Sequence, residues 1–185
     1  MIIIEGPDGA GKTTLINNLS SFFGLPVAPR VVRQDTTAMV NLREWVDTNL
    51  AQGFQPTIFD RHRLISEPIY GTILPNKIVD NDFWDRRWLK EAMAKFHDIR
   101  PLVVYCLPPL GTVVRNIVDD PDNQEVRPHI AQIYRAYVAQ AARSSNCYVW
   151  DYTKIGDVSG QHEILASLLY KSVERVKEGR RDWWN

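Results

Sequence analysis

The stretch Met1-Ile2-Ile3-Ile4-Glu5-Gly6-Pro7-Asp8-Gly9-Ala10-Gly11-Lys12-Thr13-Thr14 decides the reading of this chain. Its apolar, β-branched start reads as a buried strand. Leu15 to Phe23 then places apolar residues on one helical face. Between them, Gly6, Gly11, Lys12 and Thr13 satisfy G-x-x-x-x-G-K-[ST] in a strand–loop–helix context. Glycines let backbone N–H groups turn inward around phosphate oxygens. The helix that begins near Gly11 aims its free N–H groups and positive dipole end at the same place. Lys12 is expected to reach the β- and γ-phosphates of ATP, and the Thr13 hydroxyl to bind Mg²⁺. Gly6, Gly9, Ala10, Gly11, Lys12, Thr13 and Thr14 are therefore the expected ATP contacts.

Outward from this loop, strand-like and helix-like stretches alternate. Arg30 to Arg33 reads as a short strand. Met39, Leu42, Val46 and Leu50 give a helix running to about Gln52 its apolar stripe. Pro56 to Asp60 reads as a buried strand ending in a carboxylate. Ser66 is the expected cap of a short helix with Pro68 in its first turn. Asn81 or Asp82 caps the next helix, whose buried face is Trp84, Trp88, Ala92 and Phe96. Leu102 to Leu107 and Tyr148 to Trp150 are further strands, each followed by helical spacing. The alternation predicts an α/β chain: a P-loop NTPase fold with a five-stranded parallel sheet, helices on both faces, and one domain over 1–185. Right-handed crossovers place the strand carboxyl ends on the edge that carries the phosphate loop.

Composition narrows the function classes. Hydrophobic residues make up 44% and charged residues 24% of the 185 positions, ordinary values for a globular protein. Lysine plus arginine (22) equals aspartate plus glutamate (22), so no whole-protein charge attracts a polyanion, although a local basic patch is compatible with this. No apolar run reaches membrane-spanning length, and no leader peptide is expected before the first strand. Cys106 and Cys147 sit in apolar runs and read as buried thiols of a reducing, cytoplasmic compartment. No Cys/His spacing suggests zinc.

The loop Glu5-Gly6-x-Asp8-Gly9-Ala10-Gly11-Lys12-Thr13-Thr14 resembles that of thymidylate kinases. The resemblance implies that Asp8 contacts the sugar of the acceptor nucleotide; taken alone, Asp8 also reads as a turn residue. Asp60-Arg61-His62 is similar to the Asp-Arg-aromatic motif of the same family, in the same chain order. The family's serine and tyrosine follow as Ser66 and Tyr70, one residue later than usual, and His62 replaces the common tyrosine. By resemblance Arg61 binds the acceptor phosphate, Asp60 orients the acceptor or water around Mg²⁺, and His62 and Tyr70 line the acceptor site. An arginine fork suits two phosphate chains meeting head-on; a surface ion pair is the alternative for Asp60-Arg61. Trp84 is a candidate for stacking on a base. Arg115 and Arg127 flank an acidic segment where kinases of this type carry a lid that closes over ATP and supplies arginines; solvation on a helix surface is the alternative for Arg115. The family's Arg-Glu-Pro-Gly-Gly-Thr stretch is absent, with Arg33-Gln34-Asp35-Thr36-Thr37 in its place. Homodimers are usual in the family.

These readings imply phosphoryl transfer from ATP to a deoxypyrimidine monophosphate, dTMP or a related, possibly modified, nucleotide. A second reading is a kinase acting on 5-hydroxymethyluracil within DNA, as in phage enzymes that resemble thymidylate kinases; Arg63, Trp84, Trp88 and the Arg180-Arg181/Trp183-Trp184 tail would serve it. A deoxynucleoside kinase shares the phosphate loop but usually carries Glu-Arg-Ser at this strand end. A non-enzymatic nucleotide switch would need a partner interface for which no sequence feature stands out.

Overall fold

A computed structural model describes residues 1–29, 42–52, 56–74, 84–118 and 120–154, with positions 163, 166, 167 and 170. Its strands are β1 (Ile2–Glu5), β2 (Ile58–Asp60), β3 (Leu102–Cys106) and β4 (Cys147–Trp150). They form one parallel sheet in the order β2-β1-β3-β4. Four strands are seen among the described residues where five were expected. The strand expected at 30–33 lies outside them, and Val27 makes only a single bridge to Ile58.

The strand residues alternate between two cores, because successive side chains leave a strand on opposite faces. Ile2, Ile4, Leu102, Val104 and Cys106 pack with Leu15, Ile16 and Leu19 of helix α1 (Lys12–Phe23) and Val113 and Ile117 of α5 (Leu110–Ile117). Ile3, Phe59, Val103 and Tyr105 pack on the other face. Their partners come from α2 (Leu42–Ala51), α3 (Arg63–Ile73), α4 (Arg86–Ile99) and α6 (Ile130–Arg143). A sheet covered on both sides explains why β1 and β3 are apolar without a polar alternate, Glu5 excepted. Each fully buried isoleucine here contributes about 1.5–3 kcal/mol of transfer free energy.

Helix boundaries differ from the expected ones at informative places. α3 begins at Arg63, capped by the His62 ring, and not at Ser66. Pro68 therefore sits inside the helix, where its missing N–H leaves the Leu64 carbonyl without the usual i+4 donor. α4 is capped by Asp85, whose Oδ1 accepts from the Trp88 N–H at 2.8 Å; the expected caps at 81 and 82 lie outside the described residues. Trp88, Ala92 and Phe96 are buried as expected, and half-buried Trp84 packs against the same core. Cys106 is buried, and burial pushes its thiol up to about 12. Cys147 is only half-buried, because it opens a strand at the sheet edge. No helix among the described residues is long and apolar enough to cross a membrane.

Candidate active site

The β1–α1 loop is shaped by what a side chain would strike. Gly6 has φ 138°, and a Cβ there would lie 2.5 Å from the Cys106 carbonyl oxygen of β3. Gly9 has φ 75°, and its Cβ would lie 2.5 Å from Cγ2 of Ile117 and 2.9 Å from the Val113 carbonyl oxygen. Both positions need glycine for conformation and for space. Behind the loop, Lys12 is buried and its Nζ donates to the Pro7 carbonyl at 2.7 Å. Desolvation, then the nearby Arg61 charge, lowers the Lys12 ammonium to about 8.

The carboxyl end of β2 meets this loop. Parallel pairing sets Ile4 opposite Asp60, so Arg61 and Asp8 emerge side by side from adjacent strand ends. Arg61 Nη2 donates to Asp8 Oδ1 at 2.6 Å and to the Tyr70 hydroxyl at 2.7 Å. The Tyr70 hydroxyl donates to Asp8 Oδ2 at 2.8 Å, and the guanidinium carbon stands 4.8 Å from the Tyr70 ring centroid. Arg61 also reaches the Gly6 carbonyl through Nε and Nη2 at 3.4 and 3.3 Å. Desolvation would raise the Asp8 carboxyl. The charges of Arg61 and Lys12, with the two hydrogen bonds, outweigh it and hold Asp8 at about 2.

Arg61 itself has φ 66°, one of two positive values among described non-glycine residues. Such a backbone costs about 1–3 kcal/mol and persists only where the surroundings enforce it. Two contacts do so. The Arg61 N–H donates to the Ile4 carbonyl at 3.0 Å, and the His62 N–H donates to Glu5 Oε1 at 2.7 Å. Glu5 is fully buried, and its Oε2 accepts from the Tyr137 hydroxyl at 3.0 Å. Desolvation raises the Glu5 carboxyl to about 7 against these hydrogen bonds and the Arg61 charge.

A pocket of about 590 Å³ opens over this corner. Of the residues expected from sequence, Asp8, Gly9, Gly11, Lys12, Thr13, Asp60, Arg61 and Tyr70 line it. The far wall is Asn116, Asp120, Asn123, Glu125 and Val126. Lys12 and Arg61 are the cations on this lining among the described residues, beside Asp8, Asp60, Asp120 and Glu125. Gly6 and Ala10 shape the loop from beneath, and Thr14 faces solvent off the lining.

Four expected residues stand elsewhere. The His62 ring is 0% exposed, wedged among Trp45, Phe59 and Phe96 with centroids 5.1–6.1 Å away. Its Nδ1 accepts from the Leu64 N–H at 3.4 Å, and Nε2 has no hydrogen-bond partner among the described residues. Burial, then the Arg63 charge, lowers the imidazole to about 3, so the ring is a neutral wedge and cap that meets no ligand in this conformation. Trp84 packs against the core. Arg115 Nη2 donates to the Thr112 hydroxyl at 3.0 Å. Arg127 Nη2 donates to the carbonyls of Ile117 and Asp120 at 3.2 and 3.3 Å, closing the carboxyl end of α5. Neither arginine lines the pocket.

The sequence reading missed four residues at this site. Glu5 carried a signal: an acid between Ile4 and Gly6 breaks an apolar strand. Its partner Tyr137 looked like ordinary helix core. Asn116 Nδ2 donates to the Gly9 carbonyl at 2.7 Å and to the Tyr152 hydroxyl at 3.0 Å, tying α5 and the chain after β4 to the loop. These two had no local signal, because the contacts span 107 and 36 residues.

No protein-family model matches the chain, and no curated protein matches it in sequence. Solved structures do resemble it. The YorR protein from Bacillus subtilis, in complex with phosphorylated GDP, superposes with TM-score 0.68 at 20% identity, over 92% of this chain and 96% of its own. A deoxyadenosine kinase from M. mycoides, with products dCMP and a flexible dCDP bound, superposes with TM-score 0.56 at 18% identity, over 92% and 98%. The same kinase with bound dCTP gives 0.56 at 18%, over 92% and 100%. The chain therefore has an α/β fold with a parallel sheet and flanking helices, similar to that of P-loop kinases.

Proposed function

We propose that this chain is an ATP-dependent kinase whose acceptor is a deoxypyrimidine monophosphate, dTMP or a modified relative. The observation that carries the reading is the Asp8–Arg61–Tyr70 corner beside Lys12 on one pocket. ATP would lie with its phosphates on the loop from Gly6 to Thr14 and its γ-phosphate near Lys12. The acceptor sugar would take the place of Tyr70 or Arg61 on one Asp8 oxygen, and the acceptor phosphate would draw on the Arg61 fork. Thr13 and Asp60 both line the pocket. Magnesium bound mainly by phosphates and water needs only one or two such protein oxygens, so the residues present fit it. When bound, it neutralises charge on the transferred group. Residues 115–127 are the proposed lid; Arg115 and Arg127 reach a transferring phosphate only by giving up their present contacts.

One observation favours a second acceptor class. Arg61 is already matched by Asp8, and no other described cation beyond Lys12 lines the pocket. An uncharged deoxynucleoside asks for no further cation, and one structural neighbour is named a deoxyadenosine kinase. Labelled ATP offered with dTMP, thymidine, 5-hydroxymethyl-dUMP and DNA containing 5-hydroxymethyluracil separates the cases. Label on the monophosphates supports the proposal, and label on thymidine alone replaces it with the nucleoside reading. Label on DNA alone, falling steeply with salt through counterion release, replaces it with the base-modifying reading.

A further inference from the structure

Behind the pocket, the fully buried carboxylate of Glu5 joins three elements. It ends β1, accepts the first free N–H of α3 at His62, and accepts the Tyr137 hydroxyl from α6. The partners lie 57 and 132 residues away in the chain. Burying an acid at this cost calls for a structural return. The residue that receives it is Arg61. Its left-handed backbone precedes the peptide whose N–H Glu5 holds, so the hydrogen bond fixes the orientation of the Arg61–His62 peptide plane. An anion at this point also suits the α3 amino terminus. Tyr137 sets the carboxylate from behind, and its ring meets the Tyr70 ring edge-on at 6.2 Å. The contacts thus close a loop: Glu5 to His62 and Arg61, Arg61 to Asp8 and Tyr70, Tyr70 to Tyr137, and Tyr137 back to Glu5.

We propose that Glu5 is a positioning residue: its carboxylate, braced by Tyr137, clamps the His62 N–H and so holds the strained Arg61 in the one backbone conformation that presents its guanidinium to the acceptor side of the pocket. The kinetic consequence rests on the kinase reading above; the structural claim does not. Glu5 touches no phosphate-loop N–H in the structure, so its loss spares the ATP half and disturbs the acceptor half. A misplacement of about 1 Å in a positioning group can cost about 10²-fold in rate.

The test compares Glu5→Leu, which offers no acceptor, with Glu5→Gln, which keeps the volume and one acceptor oxygen. Tyr137→Phe, which removes only the brace, is the third variant. Two readouts are taken: amide exchange at the His62 N–H by NMR, and ATP affinity beside acceptor kcat/KM. For Glu5→Leu we expect faster His62 exchange and a loss of about 10²-fold in acceptor kcat/KM, with ATP affinity kept within about threefold. Glu5→Gln should recover most of both, and Tyr137→Phe should move both in the Leu direction by a smaller factor. If the Leu variant does not fold, the Gln and Phe variants carry the same comparison. Unchanged His62 exchange in the folded variants, or equal losses for ATP and acceptor, would overturn the proposal. If the wild type phosphorylates no acceptor, the kinase reading fails while His62 exchange and the Arg61 Nε–H resonance still decide the role of Glu5.

Discussion

The two walls of the pocket are built by opposite means. On the β1/β2 side, Asp8 meets Arg61 across 53 residues and Tyr70 across 62, and Glu5 meets Tyr137 across 132. On the opposite side, Asn116 is tied to Gly9 across 107 residues, but beyond it the ties are local: Arg127 holds carbonyls only 7 and 10 residues away, and Asn123 holds Asp120 across 3. The first wall is anchored on the sheet: Asp8 and Arg61 follow the adjacent strands β1 and β2, so their backbones stay together while the sheet is intact. Beyond Asn116, the second includes a short 3-10 segment (Pro121–Asn123) held to its own neighbourhood. Long-range ties of buried groups open only with the fold, whereas local ties among half-exposed groups open at little cost. On the function proposed above, the first wall would carry the chemistry and the second would move.

The largest expected effect tests the chemistry wall directly. Lys12→Ala should cut phosphoryl transfer by about 10²-fold or more while circular dichroism and melting stay near wild type. A folded variant with near-normal turnover would break the assignment of that wall.

Asp8→Asn comes next. The amide keeps the shape but weakens two charge-assisted hydrogen bonds, each worth about 1.5–3 kcal/mol. Acceptor kcat/KM should fall about tenfold to a hundredfold, with ATP affinity spared; parallel losses in both would return Asp8 to a turn-forming role.

Acidification sharpens the picture of the buried ties behind this wall. His62 lies at about 3 in the fold, below its unfolded value near 6.5. The unfolded chain therefore binds the proton first, and stability present above pH 6.5 is lost as pH falls toward 3. Glu5 lies at about 7, above its unfolded value, so the folded chain binds the proton first and stability rises as pH falls from 7 toward 4.5. Between pH 7 and 5 each contributes on the order of 2 kcal/mol with opposite sign. Denaturant titrations should show Glu5→Gln losing stability over that interval and His62→Asn gaining it. The same slope in both variants would place the two groups outside the titrating set.

The smallest effect belongs to the second wall. Arg127→Gln removes two hydrogen bonds to carbonyls, at a cost of about 1 kcal/mol in a chemical denaturation series. Turnover should change less than about tenfold. A larger loss would mean that the arginine leaves its carbonyls and acts on the phosphate, which would turn the quiet wall into a catalytic one.

The strand–loop–helix at the amino terminus was legible because its determinants are local: β-branched residues in sequence, glycines at fixed spacing, then a helical stripe. Asp60-Arg61 was legible as a strand end for the same reason. Sequence alone thus determined that a glycine-shaped loop joins the first strand to the first helix, that the sheet is parallel, and that a second charged corner follows a buried strand. At His62 the family resemblance implied a place in the acceptor site, whereas the structure buries the ring as a neutral wedge off the pocket lining. Local signals misled at α3, where serine and proline pointed to a cap four residues after the observed one at His62. Only the tertiary structure decided which charges meet. Arg61 turned toward Asp8 and Tyr70, Arg127 turned to close a helix end, and Glu5 was buried to accept from His62 and Tyr137. Those outcomes depend on which strand lies beside which and on the water each group loses there, and neither quantity is carried by the spacing of residues along a chain.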